Sequence, residues 1–269
     1  EKYGIKNAFR TDEGLVRRSF DGIFMETLTH DGGWIAAVVL LGCAIFGYLI
    51  GSVNVAVIIS KTFYRDDVRL HGSGNAGATN MLRTYGKGAA GLTLLGDMLK
   101  TAIAIFICGI LMGFFYVKGI SAYFGWCYVA AVFAVLGHIF PIYYGGKGGK
   151  GVLVTITAAL ILSPVPAAIF LAIFVLIVAI TKFVSLGSVT CALLYPVIVT
   201  VYIRVVGNAE PHFIHLTSIM ILAVLILWCH RENLKRIGER TERKISFRKK
   251  DIEITAAKAE PESLLDDDE

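Results

Sequence analysis

Charge is scarce in this sequence. Asp, Glu, Lys and Arg supply 17% of its 269 residues, against about a quarter in soluble domains. Hydrophobic residues supply 55%, and mean hydropathy is +0.66. A chain this poor in charge and rich in Leu, Ile and Val is not a disordered one. Its glycines are spread unevenly, which excludes collagen. Cysteine is scarce too, and Cys43, Cys108, Cys127, Cys191 and Cys229 lie in or beside apolar runs with no C-x-x-C pair among them. Neither a disulfide scaffold nor a metal site has spacing behind it, and these thiols read as small buried hydrophobes. The first 33 residues lack the short apolar run of a secretory signal. They are polar and mixed in charge, with a short helix expected around Glu13–Met25, and the chain begins at Glu1, as a fragment or trimmed product would.

What is there is a series of long apolar runs. A span needs about 20 apolar residues, and such runs occupy Trp34–Ile59, Leu92–Val117, Tyr123–Tyr144, Leu186–Val206 and His212–Cys229. Between them Val152–Ile180 is interrupted by Ser163-Pro164-Val165-Pro166, and prolines so placed break a helix. Two helices are therefore expected there, Val152–Leu162 and Val165–Ile180, the first too short to cross unless protein covers it. The fold class is an all-α integral membrane bundle of about seven crossings, with no internal repeat.

The loops sort the charges. Lys61, Arg65, Arg69, Arg83 and Lys87 fall in the first loop, Lys147 and Lys150 in the third, and ten Lys/Arg in the tail beyond His230. The opposite side holds Lys118, Arg204 and five near the N-terminus, of which only Arg17 and Arg18 lie close to the first helix. The positive-inside rule puts the N-terminus outside and the C-terminus in the cytoplasm. The expected organisation is a polar extension (1–33), a transmembrane core (34–230), a basic juxtamembrane segment (231–250) suited to anionic headgroups, and an acidic, disordered tail (251–269).

Three cytoplasmic features carry chemistry. His71-Gly-Ser-Gly-Asn-Ala-Gly-Ala-Thr-Asn-Met-Leu-Arg83 supplies glycines at 72, 74 and 77, the hydrogen-bonding side chains of Ser73, Asn75, Thr79 and Asn80, and the Arg83 fork that matches phosphate oxygens. An ordinary loop capping a helix from near Ala76 would need the same glycines and asparagines. Gly137-His-Ile-Phe-Pro-Ile-Tyr-Tyr-Gly-Gly-Lys-Gly-Gly-Lys-Gly151 places Lys147 and Lys150 among Gly148 and Gly149 at a helix start, a cationic cradle or else a flexible surface hinge. It is not a nucleotide-binding P-loop, because G-x-x-x-x-G-K-[ST] fails. His230 and Asn233, three apart, share a helix face. Asp97 and Lys100 lie one turn apart inside an apolar run, either functional or a mutually neutralising pair. Ser185 and Ser188 stand near a helix start, where they would also serve as caps.

Ser-Gly-Asn-x-Gly-Ala-Thr-Asn-x-Leu-Arg at 73–83, Gly-His-x-Phe-Pro with Lys-Gly-Gly-Lys-Gly-Val at 137–152, and His-Arg-x-Asn-x-x-Arg at 230–236 resemble the three cytoplasmic motifs of the bacterial acyl-phosphate:glycerol-3-phosphate acyltransferases, the PlsY family. The resemblance covers about Gly42 to Ile245. It departs at Gly146, where the family usually has an aromatic, and at Leu153-Val154 in place of a small residue and Thr, positions that bear on acyl-phosphate fit. The resemblance implies acyl transfer from acyl phosphate to the 1-hydroxyl of sn-glycerol 3-phosphate at the cytoplasmic face of the bacterial cell membrane. Membrane lipids and an acyl-phosphate-forming enzyme are implied as partners, with no nucleic acid, cofactor or metal. It further implies Ser73, Gly74, Asn75 and Arg83 around one phosphate, Lys147, Gly148, Gly149 and Lys150 around the other, a hydrogen bond from Ser188 or Ser185, and His230 with Asn233 orienting the hydroxyl. Arg83, Lys150, His230 and Asn233 are the expected catalytic set. No carboxylate is spaced to set the His230 tautomer, so His230 is expected to position the hydroxyl rather than act as base. The His-x-x-x-x-Asp signature of acyl-CoA-using enzymes is absent, since Ala76, Tyr143 and Lys235 stand five after His71, His138 and His230. The competing reading is a transporter of organic phosphates, which would place its site at mid-membrane between repeated halves.

Overall fold

A computed structural model describes residues 33–114, 120–207 and 213–245. The polar extension, on which a helix is expected at Glu13–Met25, Lys118 and the acidic tail lie outside them. The described residues form helices α1 (Gly33–Gly51), α2 (Val55–Phe63), α3 (Ala78–Tyr85), α4 (Lys87–Phe114), α5 (Ile120–Ile139), α6 (Val152–Leu162), α7 (Pro164–Thr181), α8 (Val184–Val205), α9 (Phe213–Cys229) and α10 (Arg231–Gly238), and contain no strand.

The helices stand close to where hydrophobicity put them. Among the described residues five runs are long and apolar enough to cross, taking α1 with α2 as one, and α9 with α10 makes a sixth if that pair, bent by 51°, is one span. Eleven residues of α6 reach about 16 Å, half of a ~30 Å hydrocarbon core. As expected, protein covers it: Val154 to Ala159 are buried. Pro164 opens α7 at N1, where its missing N–H costs nothing.

The first run is broken rather than continuous. Asn54 Oδ1 accepts the Val57 N–H at 3.1 Å and caps α2, while Lys100 Nζ of α4 takes the Val53 carbonyl at 2.7 Å. A polar cap and a buried ammonium together satisfy the backbone that the break exposes, which lipid could not.

Helix α1 lies directly on α5. A Cβ on Gly51 would come 2.2 Å from the Ala134 carbonyl oxygen, and one on Gly47 2.8 Å from that of Ala130. Small residues at such crossings let backbones touch, which supplies the dispersion contact that lipid tails do not. This packing holds the C-terminal end of α5, and the loop after it, against the break between α1 and α2.

Candidate active site

The loop after α2 is shaped from within. Asp66 Oδ2 accepts from Tyr85 Oη at 2.6 Å and lies 2.6 Å from His71 Nε2. These bonds outweigh partial burial and hold the Asp66 carboxyl below its usual range. Asn80, nearly fully buried, donates to the Val68 and His71 carbonyls and accepts the Ser73 N–H at 3.0 Å. Asn80 is thus a staple for the glycine turn. Gly72 and Gly74 take positive φ, +60° and +69°, which a side chain would resist.

The loop after α5 is braced against this turn. Arg69 Nη1 donates to the Tyr144 carbonyl at 2.8 Å, and the Ala76 N–H reaches the Gly148 carbonyl at 3.4 Å. The Gly148 and Gly149 N–H groups are spent on the carbonyls of Ile139 and His138. They do not form a free anion nest. These glycines are needed for contact instead: a Cβ on Gly149 would stand 2.0 Å from His138 Nε2. Gly151, at φ +77°, then turns the chain into α6, whose first N–H groups have no helical acceptor.

Between these loops and the starts of α8 and α10 lies a cavity of about 770 Å³. Its polar wall brings together Ser73, Asn75, Arg83, Lys150, His230 and Asn233 from all three motifs, with Ser188 beside them. Its apolar wall is built from Leu94, Ile156, Phe174 and Val178. Lys147 is exposed, and neither it nor Gly74, Gly148 or Gly149 reaches the lining. The cavity therefore takes one lysine of the pair and none of the glycine N–H cradle expected around it.

Lys150 donates to Asn233 Oδ1. Burial, followed by Arg236, lowers the Lys150 ammonium to about 8, with Glu242 opposing. Arg83 is half-buried; burial and nearby Arg243 pull it below its ordinary value, and its Nη2 donates to the Arg243 carbonyl at 3.2 Å. His230 is buried, and its Nδ1 lies 2.8 Å from the Ile226 carbonyl. A carbonyl only accepts, so Nδ1 carries the proton and Nε2 is left as acceptor. A backbone oxygen thus does the tautomer-setting for which the sequence offered no carboxylate. Burial pushes the imidazole down to about 4.

Glu242 is the site residue that sequence reading missed. Its carboxylate accepts from Ser185 Oγ at 2.7 Å, Asn233 Nδ2 at 2.7 Å and Arg236 Nε at 2.8 Å. These bonds, set against partial burial, hold it below its usual range. Ser188, by contrast, bonds back to the Val184 carbonyl of its own helix. The basic segment after His230 does not simply lie on lipid: Arg236, Glu242, Arg243 and Ile245 all line the cavity. Among the described residues no group of three or more His, Cys, Asp or Glu could hold a metal ion.

A helical membrane protein with a chamber that is cationic and hydroxyl-lined at one end and apolar along the other wall has the build of an enzyme whose substrates are amphipathic anions. The comparisons with known proteins agree and make it specific. A model of the glycerol-3-phosphate acyltransferase family matches residues 41–240, and the chain belongs to that family. It is 37% identical over 206 residues to a glycerol-3-phosphate acyltransferase of Clostridioides difficile strain 630, covering 77% of this chain and 95% of the relative. It is 40% identical over 203 residues to one of Halalkalibacterium halodurans, covering 75% and 93%. Its fold is similar to a crystal structure of PlsY (YgiH), an integral membrane glycerol 3-phosphate acyltransferase, in the glycerol 3-phosphate form: TM-score 0.65, 29% identity, 77% of this chain and 96% of that one. The lysophosphatidic acid form of the same enzyme gives a TM-score of 0.63 at 27% identity, covering 80% and 98%.

Proposed function

We propose that this enzyme moves a fatty acyl group from acyl phosphate to the 1-hydroxyl of sn-glycerol 3-phosphate at the cytoplasmic face of the membrane. The products are 1-acyl-sn-glycerol 3-phosphate and inorganic phosphate. Acylation of glycerol 3-phosphate is the reaction of the family. The choice of donor, the membrane face and the residue roles are the proposal. The observation that carries it is the cavity in which one wall suits phosphates and the other an acyl chain.

In this reaction the hydroxyl oxygen attacks the acyl carbonyl carbon, and the bond from that carbon to the phosphate oxygen breaks. The donor is already activated, so the protein's work is positioning and charge stabilisation. Arg83 offers a planar fork to one phosphate, with Ser73 and Asn75 beside it. Lys150 and the first N–H groups of α6 face the other. As the phosphate leaves it gains charge, which Lys150 and Arg236 stabilise, and it takes the hydroxyl proton. Neutral His230 accepts the hydroxyl's hydrogen bond at Nε2 and so aims the oxygen. Asn233, gripped by Glu242 and Lys150, holds the lysine in place.

A transporter reading lacks this support. It calls for repeated halves around a mid-membrane site, whereas here the polar residues gather where three loops meet and the lower wall is apolar. The test is purified protein with acyl phosphate and labelled glycerol 3-phosphate, without divalent metal. Acyl transfer is expected from acyl phosphate and little or none from acyl-CoA; equal rates with acyl-CoA would overturn the donor assignment. Lys147→Cys and Arg240→Cys, both at exposed positions, should react only with reagents on the cytoplasmic side. Labelling from outside would refute the orientation.

A further inference from the structure

Beneath the Lys150 loop lies a buried polar cluster for which the roles above have no use. Asp97 and Lys100 of α4 and His138 of α5 are 2%, 5% and 4% exposed, and Asp97 and His138 both line the cavity. Three neighbours surround the Lys100 ammonium: the Val53 carbonyl at 2.7 Å, Asp97 Oδ1 at 2.8 Å and His138 Nδ1 at 3.0 Å. An ammonium has three donors and no lone pair. The Val53 carbonyl accepts one of them and Asp97 stands at ion-pair distance, and the donor aimed at His138 requires Nδ1 to be the unprotonated nitrogen.

Asp97 would impose the opposite tautomer if it accepted an Nδ1 proton. The distance from its Oδ1 to His138 Nδ1 is 3.6 Å, too long for a hydrogen bond, and the lysine stands closer. His138 consequently carries its proton on Nε2. That nitrogen is the edge of the ring against which Gly149 packs, next to Lys150.

We propose that His138 is a further substrate-binding residue, presenting a fixed Nε2–H to a phosphate oxygen at the floor of the cavity, with Lys100 and Asp97 as the positioning residues that set its tautomer. The proposal deepens the functional reading given above and rests on it. A histidine locked as donor at this point complements His230, whose Nε2 is locked as acceptor by the Ile226 carbonyl. The two imidazoles then have opposite duties, one toward the phosphate and one toward the hydroxyl. The phosphate belongs either to acyl phosphate or to glycerol 3-phosphate, which share this chemistry.

The test compares His138→Leu, which removes the donor, with His138→Gln, whose amide returns an N–H near the Nε2 position. Losing a hydrogen bond to a charged oxygen weakens binding about ten- to a hundred-fold. His138→Leu should raise the KM of one substrate by about that factor, and the substrate affected identifies the phosphate. His138→Gln should raise the same KM no more than about threefold, on the same hydrogen-bond reasoning. Unchanged KM for both substrates in the Leu variant, or a Gln variant as impaired as Leu, would overturn the proposal. If the Leu variant does not purify as a monodisperse species, histidine-labelled ¹⁵N spectra of the unaltered protein decide. The resonance lost in His138→Gln should show the Nε2–H tautomer and move on addition of inorganic phosphate. An Nδ1–H tautomer, or no movement, would overturn it. Acyl transfer by the unaltered enzyme tests the functional reading separately, whatever these variants do.

Discussion

Lys150 donates to Asn233 Oδ1 across 83 residues of sequence, so the loop after α5 and the helix after α9 act as one unit. The other end of the same amide is held by Glu242, which fixes its orientation. A side chain that would otherwise turn freely becomes a strut, and the cation it supports is aimed by chemistry rather than by chance rotamers.

The first consequence is a pH limb. Lys150 titrates near 8, lowered by burial and by Arg236, with Arg83, Glu242 and Cys229 also acting on it and His230 beside it. A lowered ammonium is fully charged below that value and loses its proton as pH rises through it. The log of kcat/KM should therefore bend downward near pH 8. Lys150→Arg should remove the bend. Lys150→Ala should lower kcat/KM about ten- to a hundred-fold at neutral pH, the cost of one charge-assisted hydrogen bond. A profile flat to pH 10 in the unaltered enzyme would refute the role of the ammonium.

Arg83→Lys keeps charge and loses the fork. A bidentate grip on phosphate does not survive that exchange. A fall of about ten-fold or more in kcat/KM is expected, with the protein still inserting and purifying normally. A Lys variant within twofold of the parent would mean that Arg83 serves only as a point charge.

His230 stays neutral down to about pH 4 because burial disfavours its charged form. No acid limb from this residue should appear between pH 5 and 7. If the departing phosphate takes the proton, as proposed, His230→Ala should leave residual activity with the same pH profile. Complete loss at every pH would assign His230 as an obligatory base.

Glu242→Gln removes the carboxylate that opposes the lowering of Lys150. The basic limb should move to lower pH, and a move of about one pKa unit would lower kcat/KM at pH 8 by about five-fold, because the charged fraction drops from about one half to about one eleventh. An unmoved limb would show that the carboxylate acts on packing alone.

Gly51→Leu tests the helix crossing. Even the first carbon would lie 2.2 Å from the Ala134 carbonyl oxygen, and overpacking against backbone costs about 1–3 kcal/mol or more. A clear drop in unfolding temperature in detergent is expected, whereas Gly42→Leu, where nothing lies within 4 Å of a Cβ, should be nearly silent.

The reach of sequence reasoning differed between elements for physical reasons. Apolar runs and the proline pair at 164 and 166 placed the helices within a few residues, because lipid tolerates few alternatives. The motif positions Ser73, Arg83, Lys150, His230 and Asn233, and Ser188 outside the motifs, line one cavity, since cations and glycines in short loops have few places to go. Glu242 was hidden because it sits in a stretch whose net positive charge reads as a headgroup-binding tail. Only the turn after α10 reveals that its carboxylate points inward. Lys147 illustrates the converse: equal to Lys150 in sequence, it is left outside by the strap of Gly148 and Gly149 bonded to the end of α5. The break at Ser52–Asn54 was invisible because hydropathy does not register a capping asparagine or a lysine arriving from another helix.

The segment from Thr241 to Ile245 has a practical meaning for anyone handling this protein. It returns from α10 to the cavity, where Glu242 grips Ser185 and Asn233, the Arg243 carbonyl receives Arg83, and the Ile245 N–H reaches the Lys182 carbonyl at 2.8 Å. A deletion that stops at Gly238, chosen to tidy a charged end, would dismantle one side of the reaction chamber while leaving every helix in place. The product would insert and purify like an intact enzyme and fail as a catalyst. Affinity handles belong beyond Ile245 on a spacer long enough to leave that return undisturbed.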